Sequence, residues 1–234
     1  MAILISNKAH FIMQYILFDL DGTLIDHFTT IYKSVAYAQR ELGLPESDYG
    51  TVRATVGGSL PITLSKLCGE ANVAAAEPLF RQHFDKIIFD DVFALPGADW
   101  ILKSLKESGA KLGVFTNKYT SHSRSVLAHL GLDQWLDVII GTGDLECPYR
   151  KPDPLFTAHA LEQMDCASEE ALMIGDSPYD LAAAEAGCIT CHLVATGSHS
   201  SEELSEYIVT EHIHQDLYQL GEKLFGLTPV LADR

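Results

Sequence analysis

The sequence predicts an α/β fold, a parallel sheet with helices on both faces, interrupted after its first strand by a helical insertion. Three observations carry this. The run Tyr15-Ile16-Leu17-Phe18 is apolar without alternation and stops at an acidic loop, as a strand buried on both faces does. From residue 97 onward, helical and strand-like patterns alternate, which implies crossover connections and parallel pairing. Between about 28 and 92 the chain reads only as helices.

In chain order, the first strand runs into Asp19-Leu20-Asp21-Gly22-Thr23. Helical patterns follow over Thr30 to Leu42, Leu60 to Gly69 and Ala74 to Phe89, punctuated by Pro45, Gly57-Gly58 and Pro61. After Pro96-Gly97, a helix near Asp99–Glu107 leads to a strand over Leu112–Phe115. A helix near Ser121–Leu130 leads to Val138–Ile140, and a helix after Pro154 leads to Ala171–Ile174. A helix from Pro178 to Ala186 leads to Thr190–Val194; the apolar triplet Tyr207–Val209 and a helix near Gln215–Phe225 close the chain.

The bulk properties bound the function. The 234 residues are 47% hydrophobic and 21% charged, ordinary globular material long enough for a full core without disulfides or structural metal. Net charge is −16, with no run of Lys and Arg, which speaks against nucleic-acid partners. No apolar run approaches the ~18 residues of a membrane span. Lys8 and His10 interrupt the N-terminal apolar stretch, which reads against a signal peptide; either Met1 or Met13 can be the start. Five cysteines, Cys68, Cys147, Cys166, Cys188 and Cys191, make no disulfide framework, and a reducing cytoplasm is expected.

In open parallel sheets, ligands bind beyond the carboxyl ends of the strands. The residues there are Asp19 and Asp21, then Thr116 and Asn117, then Arg150-Lys151-Pro152-Asp153-Pro154, then Gly175-Asp176-Ser177-Pro178-Tyr179-Asp180. Taken singly, each has a plain structural explanation: strand-end turn, helix cap or solvated lysine. Together, Asp19, Asp21, Asp176 and Asp180 would crowd one cleft with negative charge. Such a group must raise its pKa values or recruit a cation, and a hard divalent ion with oxygen ligands suits it best.

The set DLDGT at 19–23, FTN at 115–117, KPDP at 151–154 and GDSPYD at 175–180 resembles the haloacid dehalogenase (HAD) superfamily, most of all its phosphoglycolate-phosphatase-like branch. The resemblance spans roughly residues 15–225. It implies a Rossmann-like core over 1–27 and 93–234 and a small helical cap domain over 28–92 that closes over the cleft. It implies a soluble phosphatase of a small phosphomonoester, phosphoglycolate-like, with Asp19 as the nucleophile. Asp21 would be the acid and base, and Thr116, the backbone around Asn117, and Lys151 would hold the phosphoryl group. Mg²⁺ would be bound by Asp19, the backbone carbonyl of Asp21, and Asp176, with Asp180 as a ligand or support. The carboxylates and a phosphate dianion outweigh Mg²⁺ and Lys151 in charge, so Asp21 is expected to carry a proton when substrate binds.

In the insertion, the segment from Arg53 through Gly57 and Gly58 to Ser59 is the expected substrate-reading loop. Its glycines permit close approach, and Arg53 is suited to a substrate carboxylate or a second phosphate. An inter-helix turn with a surface arginine is the alternative. His27 is expected at the mouth between core and insertion, on the surface or touching substrate. The pair Cys188-x-x-Cys191 lacks a second pair for zinc, and His212-x-His214 lacks a third ligand nearby and reads as a solvated loop.

Other functions stay in view. Phosphosugar mutases of the superfamily carry a His where this chain has Ile31. A dehalogenase needs no metal and typically lacks an Asp at the place of Asp21. A nucleotidase, a pyrophosphatase and a catalytically silent binding protein complete the alternatives. Monomer and homodimer are both open.

Overall fold

A computed structural model describes residues 15–143 and 147–229. The N-terminal segment with its alternative starts lies outside the described residues. The main sheet has six strands: β1 (Tyr15–Phe18), β4 (Lys111–Tyr119), β5 (Val138–Thr142), β6 (Ala171–Gly175), β7 (Thr190–Val194) and β8 (Ile213–His214). Their order is β5-β4-β1-β6-β7-β8, and every pairing is parallel. Strand β1 lies at the centre, so its ends are buried from both sides. Its side chains alternate: Ile16 and Phe18 join one apolar cluster and Leu17 the other.

Helices α5 (Ala98–Glu107) and α10 (Leu217–Phe225) cover the first face, through Ile101, Leu105, Leu217 and Leu220. Helices α7 (Pro154–Met164) and α8 (Pro178–Ala186) cover the second, through Phe156, Ala160, Met164 and Ala183. Between β4 and β5 runs α6 (Thr120–Leu130), and a short α9 (Ser201–Leu204) precedes β8.

A two-stranded antiparallel ribbon, β2 (Ile25–Asp26) with β3 (Phe93–Ala94), connects the core to the inserted helices. These are α1 (Phe28–Glu41), α2 (Tyr49–Arg53), α3 (Leu60–Cys68) and α4 (Val73–Ile87). Helix α1 buries Phe28, Ile31, Val35 and Ala38, a three-to-four-residue spacing that packs it along α4.

The structure corrects the sequence reading in four places. The substrate-loop segment contains helix α2, whose N-terminus is capped by Asp48 accepting from the Thr51 amide at 2.9 Å. Strand β4 does not stop at Phe115 but continues to Tyr119, with its register to β5 shifting between those residues. Tyr207–Val209 is not a strand; the sheet ends instead on Ile213–His214. His214 is therefore buried in an edge strand and not solvated in a loop: its Nε2 lies 3.0 Å from Nδ1 of His192, whose ring stacks on His212. Cys188 is exposed and Cys191 buried, both free thiols.

Candidate active site

The carboxyl ends of β1, β4 and β5 border a cavity of about 470 Å³ between the sheet and the inserted helices, and the end of β6 lies beside Asp19. Asp19 follows β1 directly, its amide donating to the Ile174 carbonyl of β6 at 2.8 Å. The side chains of Asp19, Asp176 and Asp180 are all buried, and one oxygen of each lies within 4.8 Å of the others.

Lys151 ties this cluster together. It is 1% exposed, and its Nζ donates to Asp19 Oδ1 (2.6 Å), Asp180 Oδ1 (2.5 Å) and the Phe115 carbonyl (2.9 Å). Burial works to lower the pKa of Lys151, yet Asp180 and Asp19 carry it above the usual lysine value. Burial pushes the Asp19 carboxyl up to about 7 against the pull of Lys151, with Asp180 and Asp21 adding to the rise. Asp176 is likewise raised well above its ordinary value, by burial first and then by Asp180 and Asp19. A second cation in this cluster would offset that repulsion.

The loops are shaped around these carboxylates. Asp180 stands in the first turn of α8, where its Oδ2 accepts from the amide (3.0 Å) and hydroxyl (2.7 Å) of Ser177. That contact is a helix-capping one and aims its other oxygen at Lys151. Asp176 accepts from Thr23 Oγ1 (3.2 Å) and the Ser198 amide (2.9 Å). Gly22 (φ +94°) and Gly197 let the backbone approach it: a Cβ on Gly197 would stand 1.8 Å from Asp176 Oδ2.

The other expected residues separate into those at the cavity and those away from it. Thr116, Asn117, Gly57 and Gly58 line it with Asp19 and Asp21. Asn117 is also a strut: its side-chain nitrogen donates to the Gly57 carbonyl (3.1 Å), and its oxygen accepts from the Lys151 amide (2.7 Å). Arg53 is not among the lining residues. Its guanidinium donates to the carbonyls of Thr196 (3.0 Å) and Gly197 (3.1 Å), fastening the insertion to the loop after β7. The side chain of Asp21 stands apart from the three-aspartate cluster, which leaves its backbone carbonyl as the candidate ligand.

Lys118 was missed from the sequence. Its Nζ donates to both Asp21 oxygens, at 3.0 and 2.9 Å, and lies 4.9 Å from the centre of the Phe84 ring. The signal was present as the cation next to Asn117, and it supplies a positive charge that the sequence-based charge balance lacked. His27 is neither on the surface nor at the cavity. It is fully buried, with Nε2 against the Ile88 carbonyl (2.9 Å) and Nδ1 3.8 Å from Asp21 Oδ1. Burial, reinforced by Lys118, lowers its pKa to about 3, so the ring is neutral.

This arrangement of fold and acidic cluster defines a class, and comparison with known proteins gives the same one. Residues 16–194 match the family model described as haloacid dehalogenase-like hydrolase, and the chain belongs to that family. Relatives within it include proteins named phosphoglycolate phosphatase and one named putative pyrophosphatase, from Caldanaerobacter subterraneus, 32% identical and covering 90% of this chain and 94% of that protein. The phosphoglycolate phosphatase from Cereibacter sphaeroides is 31% identical over 226 residues, covering 92% of this chain and 100% of that protein. The one from Aquifex aeolicus is 33% identical over 173 residues, covering 73% and 79%. A crystal structure of a predicted phosphatase from Clostridium acetobutylicum superposes with a TM-score of 0.83 at 30% identity, covering 92% and 99% of the two chains. Among the described residues, no helix is long and apolar enough to cross a membrane.

Proposed function

We propose that this chain is a Mg²⁺-dependent cytoplasmic phosphatase that hydrolyses a small-molecule phosphomonoester through an aspartyl-phosphate on Asp19. The carrying observation is the buried lysine bridging Asp19 and Asp180 beside Asp176, behind a cavity that Asp19 lines. The donor set suits a hard dication, being oxygen only, acidic and over-crowded with charge. When bound, Mg²⁺ would be held by carboxylate oxygens of Asp19 and Asp176 and the Asp21 carbonyl, and would supply charge neutralisation to the phosphoryl oxygens.

In this reading Asp19 attacks phosphorus and the ester oxygen leaves. Asp21 gives that oxygen a proton and then takes one from the water that cleaves the aspartyl-phosphate. Lys118 donates to both oxygens of Asp21 and must release one of them for Asp21 to carry the proton it gives. Lys151 offsets the charge developing on the phosphoryl group, and Thr116 with the backbone at Asn117 holds its oxygens. Residues 28–92 serve as a cap on a core formed by 1–27 and 93–234. The Arg53 and Asn117 contacts hold the cap against the core beside the cavity.

Phosphate release from a panel of phosphomonoesters, with and without Mg²⁺, tests the proposal. Phosphoglycolate, the substrate in the relatives' names, heads that panel. Asp19→Asn, folded as the parent, should lose about 10³-fold or more in kcat because its side chain cannot form the acyl phosphate. Undiminished turnover by that variant would refute the nucleophile assignment.

A further inference from the structure

The loop after β7 is gripped from two sides through one peptide bond. The peptide joining Gly197 to Ser198 is a rigid plane whose carbonyl and amide point in opposite directions. Its oxygen, on Gly197, accepts from Nε of Arg53 at 3.1 Å. Its N–H, on Ser198, donates to Oδ2 of Asp176 at 2.9 Å. A guanidinium on the insertion and a carboxylate of the acidic cluster are therefore the two ends of a single planar unit.

The surroundings leave that plane little freedom. A second nitrogen of Arg53 donates to the preceding carbonyl, of Thr196, at 3.0 Å. The guanidinium itself is steadied by the Phe28 ring, at the start of α1, whose centre lies 4.9 Å from its carbon. The Thr196 hydroxyl donates to the Gly22 carbonyl at 2.7 Å, which ties the same loop to the turn after β1. At the carboxylate, the Ser198 hydroxyl adds a contact to Oδ2 at 3.2 Å, and Thr23 donates to Oδ1 at 3.2 Å. A cation on a peptide oxygen also polarises the group and makes its N–H a better donor. Arg53 thus both aims the Ser198 amide and strengthens its hold on Asp176.

We propose that Arg53 is a positioning residue for the metal site: acting through the Gly197–Ser198 peptide, it sets the orientation of the Asp176 carboxylate, so that docking of the insertion and binding of Mg²⁺ strengthen each other. This rests on the Mg²⁺ site of the proposed phosphatase and adds to it a residue outside the donor set and outside the cavity lining. A bare charge would act in the opposite sense. A guanidinium near the cluster repels a dication, so losing the charge alone tightens Mg²⁺ binding, whereas losing a positioning contact weakens it.

Calorimetric titration of the full chain with Mg²⁺ reads that sign directly. Arg53→Met and Arg53→Gln, each with the circular dichroism of the parent, should weaken Mg²⁺ binding by about fivefold or more. The Mg²⁺ concentration for half-maximal phosphate release should rise by the same factor, with most of the lost rate recovered at saturating Mg²⁺. Coupling is reciprocal, so Mg²⁺ should slow amide hydrogen exchange in α2 (Tyr49–Arg53) of the parent and not of the variants. Mg²⁺ affinity equal to or tighter than the parent's in a folded variant overturns the inference. So does exchange in α2 of the parent that ignores Mg²⁺. Should Arg53→Met fail to fold, Arg53→Gln carries the test, since it keeps a donor without the charge or the reach to both carbonyls. A parent that binds no Mg²⁺ overturns the metal reading itself, a failure distinct from a misassigned positioning residue.

Discussion

Replacing Lys151 with Met removes the one side chain that satisfies both Asp19 and Asp180 and keeps roughly the same length. Three acceptors lose their donor at once: Asp19 Oδ1, Asp180 Oδ1 and the Phe115 carbonyl, which the ammonium reaches at 2.6, 2.5 and 2.9 Å. Breaking a buried ion pair by deleting one partner costs about 3–5 kcal/mol. For a chain of this size each kcal/mol moves Tm by about 2–4 °C, so a fall of roughly 6–20 °C is expected at pH 7.5. The loss should depend on pH. Without the ammonium the Asp19 carboxyl, already raised to about 7, rises further. A raised carboxyl stabilises the fold below the unfolded carboxylate pKa, and this contribution is lost as pH climbs through the folded value. The gap between variant and parent therefore widens from pH 5 to pH 8. Mg²⁺ should narrow it by restoring positive charge to the cluster. The assay is thermal unfolding across pH with and without Mg²⁺, alongside phosphate release. A variant within about 2 °C of the parent at every pH, with turnover intact, would refute the argument that this lysine organises the site.

Two further outcomes follow from geometry away from that lysine. Gly197→Ala puts a methyl group 1.8 Å from Asp176 Oδ2, so the loop after β7 must shift; calorimetric titration should show Mg²⁺ affinity weakened by about tenfold or more, with the secondary structure unchanged by circular dichroism. Burial holds His192 and His214 down to about 4, with His212 and, for His214, Lys223 adding to the effect. Their folded pKa lies below the unfolded 6.5, so the unfolded chain binds more protons between these values and stability should fall as pH drops from about 6.5 to 4. His192→Gln should flatten that part of the stability–pH curve in denaturant titrations.

Much of the fold could be read from local pattern, because buried parallel strands and their crossover helices leave strong runs and periodicities. Strand neighbours could not be read this way: β1 lies between β4 and β6 through pairings that no local pattern encodes. The acidic residues stood out because like charges gathered after strands need a compensating cation. Lys118 did not, since a single lysine beside Asn117 looks the same whether it faces solvent or Asp21. Arg53 was misjudged for a related reason. Glycine-rich sequence after it suggested a loop open to ligand, whereas the short α2 ends there and turns the guanidinium toward Thr196 and Gly197. The histidine trio escaped notice because its third member, His192, lies on the neighbouring strand, brought alongside by the pairing of Leu193 with Ile213.

The narrow ribbon of β2 and β3 has a consequence for how such a chain can diversify. Ile25 faces Ala94 and Asp26 faces Phe93, so the excursion through α1 to α4 leaves and returns about 5 Å apart. Everything between those two points can be lengthened, trimmed or transplanted without rethreading a single strand of the sheet. Selection can then retune what enters the pocket while the phosphate chemistry beneath is inherited unchanged, as a tool handle accepts different bits.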